Sequence, residues 1–103
     1  MRLNAESRGG TLYVKLVGEI DEYNASRARE EADRLAEASV GRLDRAIFDL
    51  SGISFMDSTG VGFLLGRYKK FSRYGIPVYV TNLSQTNDKI LQMSGVYRVI
   101  PKI

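Results

Sequence analysis

Cysteine, histidine and tryptophan are all absent from the 103 residues. Without cysteine there can be no disulfide, no thiolate nucleophile and no sulfur ligand for zinc. Without histidine there is no imidazole to serve as a base near neutral pH or to bind a metal. Chemistry done by the chain itself would fall to carboxylates, hydroxyls, lysine and tyrosine. No apolar run approaches the roughly 18 residues of a membrane-spanning helix. The opening segment, Met1-Arg2-Leu3-Asn4-Ala5-Glu6, lacks the apolar stretch of a secretory signal. The cytoplasm is therefore the expected compartment, with no membrane contact.

Acidic residues are missing from one long stretch: none lies between Asp57 and Asp88. Residues 1–57 carry eight Lys/Arg against eleven Asp/Glu, a balance of −3, and residues 58–103 carry seven against one, a balance of +6. Such an asymmetry suits either a basic face for an anionic partner or basic helix ends that complement the helix dipole. The second reading is the better one. The basic residues are too few and too clustered for nucleic acid, and the aromatics are not interleaved with them.

The residues that are present describe an ordinary soluble domain, 44% apolar and 26% charged. Repeats, linkers and low-complexity stretches are lacking, so residues 1–103 read as a single domain. Leu3, Ala5 and Ser7 alternate with polar residues, Arg8-Gly9-Gly10 is a turn, and Leu12, Val14 and Leu16 alternate again. That pattern predicts a β-hairpin. Residues 18–23 read as a polar connection, and Asn24 reads as the N-cap of a helix over 25–38. Its apolar stripe is Ala25, Ala28, Ala32, Leu35 and Ala36, with Arg27/Glu31 and Glu30/Arg34 as outer-face pairs.

Residues 45–50 read as a buried central strand. Val61, Leu64, Leu65, Tyr68 and Phe71 recur at helical spacing, and a second helix ends before Gly75. A strand over 76–80 follows, then a helix capped by Ser84 and stopped at Gly95, then a short strand over 96–100. The order β-β-α-β-α-β-α-β predicts an α/β fold, a mixed sheet with helices packed on it.

The informative segment is Asp57-Ser58-Thr59-Gly60, where a strand hands over to a helix. Loops at the carboxyl ends of parallel strands are where ligands and partners bind. Either Ser58 or Asp57 can cap the helix; if Asp57 does, the Ser58 hydroxyl is left available. A phosphate-binding glycine loop fits poorly, because in Gly60-x-Gly62-x-x-x-Gly66 the third glycine is one position late and no acid follows at the ribose position. A nucleophilic serine would need a base, and only adjacent Asp57 or a lysine is on offer. A phosphorylation site fits well: free N–H groups and the positive dipole end favour an added phosphate there. That phosphate brings about −1.5 to −2 charges to the surface.

These residues resemble a known family. Gly18-Glu19-Ile20-Asp21, then Asp49 through Gly60 (Asp-Leu-Ser-Gly-Ile-Ser-Phe-Met-Asp-Ser-Thr-Gly), Leu65 through Lys69, and Met93-Ser94-Gly95-Val96 are similar to the STAS-domain anti-sigma factor antagonists, above all those of sporulation sigma-F. The Phe-Met-Asp-Ser-x-Gly string is the specific part. The resemblance implies a STAS-like sheet and a protein that is not an enzyme and needs no cofactor or metal of its own. It implies that the dephosphorylated form captures an anti-sigma factor that is also a serine kinase, so that a sigma factor is released. The kinase would phosphorylate Ser58, and a PP2C-type phosphatase would reset it. Thr59 stands where a second serine is frequent and is a competing acceptor. The expected contact surface comprises Asp21, Tyr23, Asn24, Asp57, Ser58, Thr59 and Gly60, while Arg67, Lys69 and Lys70 read as a solvated face. Two alternatives are a STAS scaffold subunit of a stressosome-like or lipid-transport assembly, and a nucleotide-binding protein.

Overall fold

The computed structural model describes all 103 residues. Strands β1 (Arg2–Arg8) and β2 (Thr11–Gly18) form the hairpin, and β3 (Arg45–Ile53) and β4 (Val78–Thr81) complete one sheet in the order β1-β2-β3-β4. Only β1 runs antiparallel to its neighbour; β2, β3 and β4 are parallel. Helix α1 (Glu22–Ala38) crosses from β2 to β3, and α2 (Ser58–Arg73) crosses from β3 to β4. Right-handed crossovers between neighbouring strands place both helices on one face of the sheet.

Register explains the core. Val14, Phe48 and Val80 lie side by side across the parallel strands, as do Leu12, Ala46 and Val78, and all six are buried. The other face carries Lys15, Asp49 and Thr81 in one row, and it remains largely open. Alanines 28, 32 and 36 are fully covered, so α1 lies close against the sheet, as their small side chains permit. Phe71 of α2 meets Phe48 edge to face, with ring centroids 5.8 Å apart.

Several boundaries differ from the sequence reading. Helix α1 begins three residues earlier, because Asp21 rather than Asn24 is its cap. Strand β3 runs three residues past the expected end at Leu50, through Ser51-Gly52-Ile53; Gly52 permits this, since a Cβ there would lie 2.7 Å from the Leu16 carbonyl oxygen of the adjacent strand. Beyond α3 (Gln85–Ser94), capped by Ser84 and stopped by left-handed Gly95, the terminal β position is a single bridge from Lys102 to Val80. Residues 96–98 form a 3-10 turn instead of opening a strand. Val96 and Ile100 still face inward, and the Val96 carbonyl accepts from the Val99 and Ile100 N–H groups at 3.1 and 2.9 Å, which closes a helical turn between them.

Candidate functional site at the mouth of helix α2

The loop between β3 and α2 is pinned from beneath. Ile53 and Met56 are buried, and the buried side chain of Asn87 in α3 donates from Nδ2 to the Ile53 carbonyl at 3.0 Å. With Ile53 and Met56 turned inward, Phe55 is forced outward and is 56% exposed. Asp57 then caps α2: its Oδ1 accepts from the Thr59 N–H at 2.9 Å and the Gly60 N–H at 3.4 Å. The alternative left open by the sequence is thereby resolved. Ser58 is the first helical residue, exposed, and its hydroxyl has no intramolecular hydrogen bond to keep it from solvent.

Thr59 is half-buried and faces a shallow groove of 190 Å³ between α1 and α2 that Phe63 and Arg67 also line. Gly60 is buried and supports the loop from within. A Cβ at position 60 would stand 2.5 Å from Met56 Cγ. Gly60, Gly62 and Gly66 all lie inside α2, so they do not form a loop that could wrap a nucleotide's phosphates.

The neighbouring loop is built alike. Ile20 is buried, and Asp21 caps α1 through Oδ1, accepting from the Tyr23 N–H at 2.9 Å and the Asn24 N–H at 3.0 Å. Asn24 is the reciprocal member of this capping box: its Oδ1 accepts from the Asp21 N–H at 3.2 Å, and its Nδ2 donates to the Glu19 carbonyl at 2.9 Å. With cap and box closed, Tyr23 is left 97% exposed. Gly18 and Ile53 are register partners in adjacent parallel strands, so both loops leave the same edge of the sheet. The structure therefore gathers Tyr23 and Ser58 from the predicted set, with Phe55 added, on one carboxyl edge. Phe55 was legible as an apolar residue inside the motif, but only the burial of its neighbours makes it a surface group.

Electrostatically the edge is simple. Helix α2 has no acidic residue in its first turn beyond the cap and carries Lys70 and Arg73 in its last turn. Its N-terminus therefore keeps the positive dipole end that an anion on Ser58 would meet. Arg67 and Lys70 depart from the solvated face expected of them. Arg67 is buried and lies 2.7 Å from Asp33 of α1, a close ion pair without an aligned hydrogen bond, and its guanidinium stacks over Phe63. Burial pushes the Arg67 pKa below its ordinary value, against the opposing charge of Asp33. Lys70 pairs with Glu37 at 3.2 Å, so Asp33 and Glu37 of α1 reach across to α2, while the expected Arg27/Glu31 and Glu30/Arg34 pairs within α1 do not close into ion pairs.

With the geometry in place, comparison with known proteins defines the class. The STAS domain model matches residues 2–103, and the chain belongs to that family. Within the family it groups with the anti-sigma factor antagonists. It is 29% identical to the anti-sigma F factor antagonist of Paenibacillus polymyxa, over 98% of this chain and 85% of that one. It is 30% identical to the anti-sigma-B factor antagonist of Bacillus subtilis, over 97% of this chain and 88% of that one. The structure of SpoIIAA in its unphosphorylated form matches with a TM-score of 0.79 at 26% identity, covering 99% of this chain and 88% of that one. The phosphorylated form of the Bacillus protein matches with a TM-score of 0.72.

Proposed function

We propose that this chain is the switchable member of a partner-switching circuit. In its unmodified form it docks onto an anti-sigma factor that is also a serine kinase, using the carboxyl edge that carries Tyr23, Phe55 and Ser58. Docking releases the sigma factor that the kinase would otherwise hold. The kinase transfers the terminal phosphoryl group of ATP to the Ser58 hydroxyl and retains ADP. A PP2C-type phosphatase hydrolyses the phosphoester and resets the switch. Metal ion and nucleotide belong to those partners, and the circuit runs in the cytoplasm.

One observation carries the reading: Asp57 takes the capping role, so Ser58 is exposed with its hydroxyl uncommitted. A serine that capped its own helix would have to abandon that bond to be phosphorylated. Here the acceptor is free, and the N–H groups of the first turn lie close to where the phosphate would sit. Asp57 adds a like charge beside it, which strengthens repulsion of an acidic contact on the kinase. Exposed Tyr23 and Phe55 supply the aromatic anchors that carry interface energy. A useful switch requires about 2–3 kcal/mol between its two forms, within the reach of one phosphate placed in an interface.

The test is binding to the cognate kinase in the presence of nucleotide. Ser58→Ala is expected to bind as tightly as the unmodified chain and to accept no phosphate. Ser58→Asp is expected to bind tens- to hundredfold more weakly, the conversion of that energy. Equal affinity of the two variants, or phosphate mapped to Thr59 alone, rejects the assignment.

A further inference from the structure

The two borders of the sheet are treated differently. The free border of β4 is covered by the chain's own tail: the Val80 N–H donates to the Pro101 carbonyl at 3.1 Å, and the Ile103 N–H donates to the Val80 carbonyl at 3.0 Å. Strand β1 has β2 on one side and nothing on the other. The hairpin closes on Gly9 and Gly10, with φ of 55° and 82°, and pairs Arg8 with Thr11. A two-residue turn of this type makes its flanking pair hydrogen-bonded, and the ladder alternates from there. Arg2, Asn4, Glu6 and Arg8 thus turn their backbone groups to β2, and Leu3, Ala5 and Ser7 turn theirs outward without partners.

Side chains follow the same alternation. Leu3 stands opposite buried Leu16, and Ala5 opposite buried Val14, so both lie on the helix-covered face. There they join Leu35 and Ala38 of α1, together with Glu31 and Arg34, in lining an open, mostly apolar groove of 460 Å³. By the same alternation Arg2, Asn4 and Glu6 take the open face, where Asn4 and Glu6 line a hollow with Tyr13, Lys15 and Asp49; Arg2, at the start of the strand, also borders Arg27, Ala28 and Glu31 of α1.

We propose that the β1 edge is a self-association surface, on which a second copy of this chain pairs its own β1 antiparallel about a two-fold axis at Asn4. The strand's charge pattern selects both the occupant and the register. Outward backbone groups meet only when odd residues oppose odd residues. Placing Ala5 opposite itself would set Arg2 against Arg8 twice, and like charges directly opposite are destabilising. Placing Leu3 opposite itself shortens the pairing and leaves Glu6 without a cross-strand partner. Placing Leu3 opposite Ala5 sets Arg2 against Glu6 at both ends, brings Asn4 to Asn4 across the axis and joins the two apolar grooves. Glu6 is available for this, because its contact with Arg8 is long at 3.6 Å and both side chains are about two-thirds exposed, 66% and 63%.

The lack of cysteine makes the test clean. Asn4→Cys is expected to form a disulfide-linked dimer under mild oxidation, reversed by reductant. Arg8→Cys, on the same strand and face, lies beyond the Arg2–Glu6 pairs, about four residues from the axis and far from its own copy in this register, and is expected to stay monomeric. By sedimentation, the unmodified chain should be a reversible dimer at high concentration. Glu6→Arg, which turns both Arg2–Glu6 pairs into opposed like charges, should weaken association at least tenfold, about 1.4 kcal/mol, and Arg2→Glu with Glu6→Arg should restore it. A chain monomeric at every concentration overturns the proposal and leaves the edge to some other extended segment. Equal cross-linking of the two cysteine variants, or no rescue by the charge swap, overturns it as well.

Discussion

A methyl group added at Gly60 would collide with the thioether side chain packed beneath it. Met56 is fully buried, and the new Cβ would lie 2.5 Å from its Cγ and 3.3 Å from its sulfur. Methionine is flexible, so the clash is relieved partly by a rotamer change, but the repacked side chain is expelled toward the loop that presents Phe55. Gly60→Ala is therefore expected to lower stability by about 1–3 kcal/mol, typical of overpacking, with a raised unfolding rate seen by circular dichroism. Helix propensity alone favours alanine over glycine, so a stabilised variant would contradict this packing. Most of the site's residues were readable in the chain itself, since Asp57 and Ser58 sit beside a helix start. The division of labour between them was not, because both side chains can cap and only the folded loop decides.

Among the elements, the pair α1 and α2 is joined by charge as well as by apolar contact. Arg67 is buried on α2, and Asp33 is its counter-ion on α1. Removing one partner of a covered pair leaves the other charge without compensation, which costs far more than the pair itself contributes. Asp33→Ala is expected to destabilise by about 3 kcal/mol, whereas Asp33→Ala with Arg67→Met should recover most of that loss; urea titrations of the three proteins compare them directly. Hydrophobic spacing revealed both helices, their faces and the hairpin, because those signals are local. It could not reveal this ion pair, which depends on two helices meeting after the chain has folded. The same limit explains residues 96–98, whose apolar spacing is compatible with a strand until α3 and the tail position them as a 3-10 turn.

At the scale of the whole molecule, Asp88 ties the C-terminal segment to α3. It accepts from the Tyr97 hydroxyl at 2.5 Å and from Lys102 Nζ at 3.0 Å. The Tyr97 hydrogen bond foremost, and then Lys102, hold the Asp88 carboxyl below its ordinary value of 3.8. Burial, with the Asp88 hydrogen bond, pushes the Tyr97 phenol above its usual range. A carboxyl depressed on folding contributes stability that is fully present above about pH 3.8 and fades as pH falls through its lower native value. Asp88→Asn is expected to melt lower than the unmodified chain at pH 7, with the gap narrowing as the pH drops below 4; melting curves across that range measure it. A gap constant with pH would mean that the carboxylate charge is not what ties the tail down.

That tail has a consequence for how many molecules can join. A sheet with two bare borders can add copies at both, and repeated head-to-tail addition produces a fibre of unlimited length. Here Pro101 and Ile103 occupy the backbone of Val80 at the middle of one border, so only the opposite border can recruit. A molecule with a single adhesive margin that fits its own copy consumes that margin in the first union, and growth halts at two.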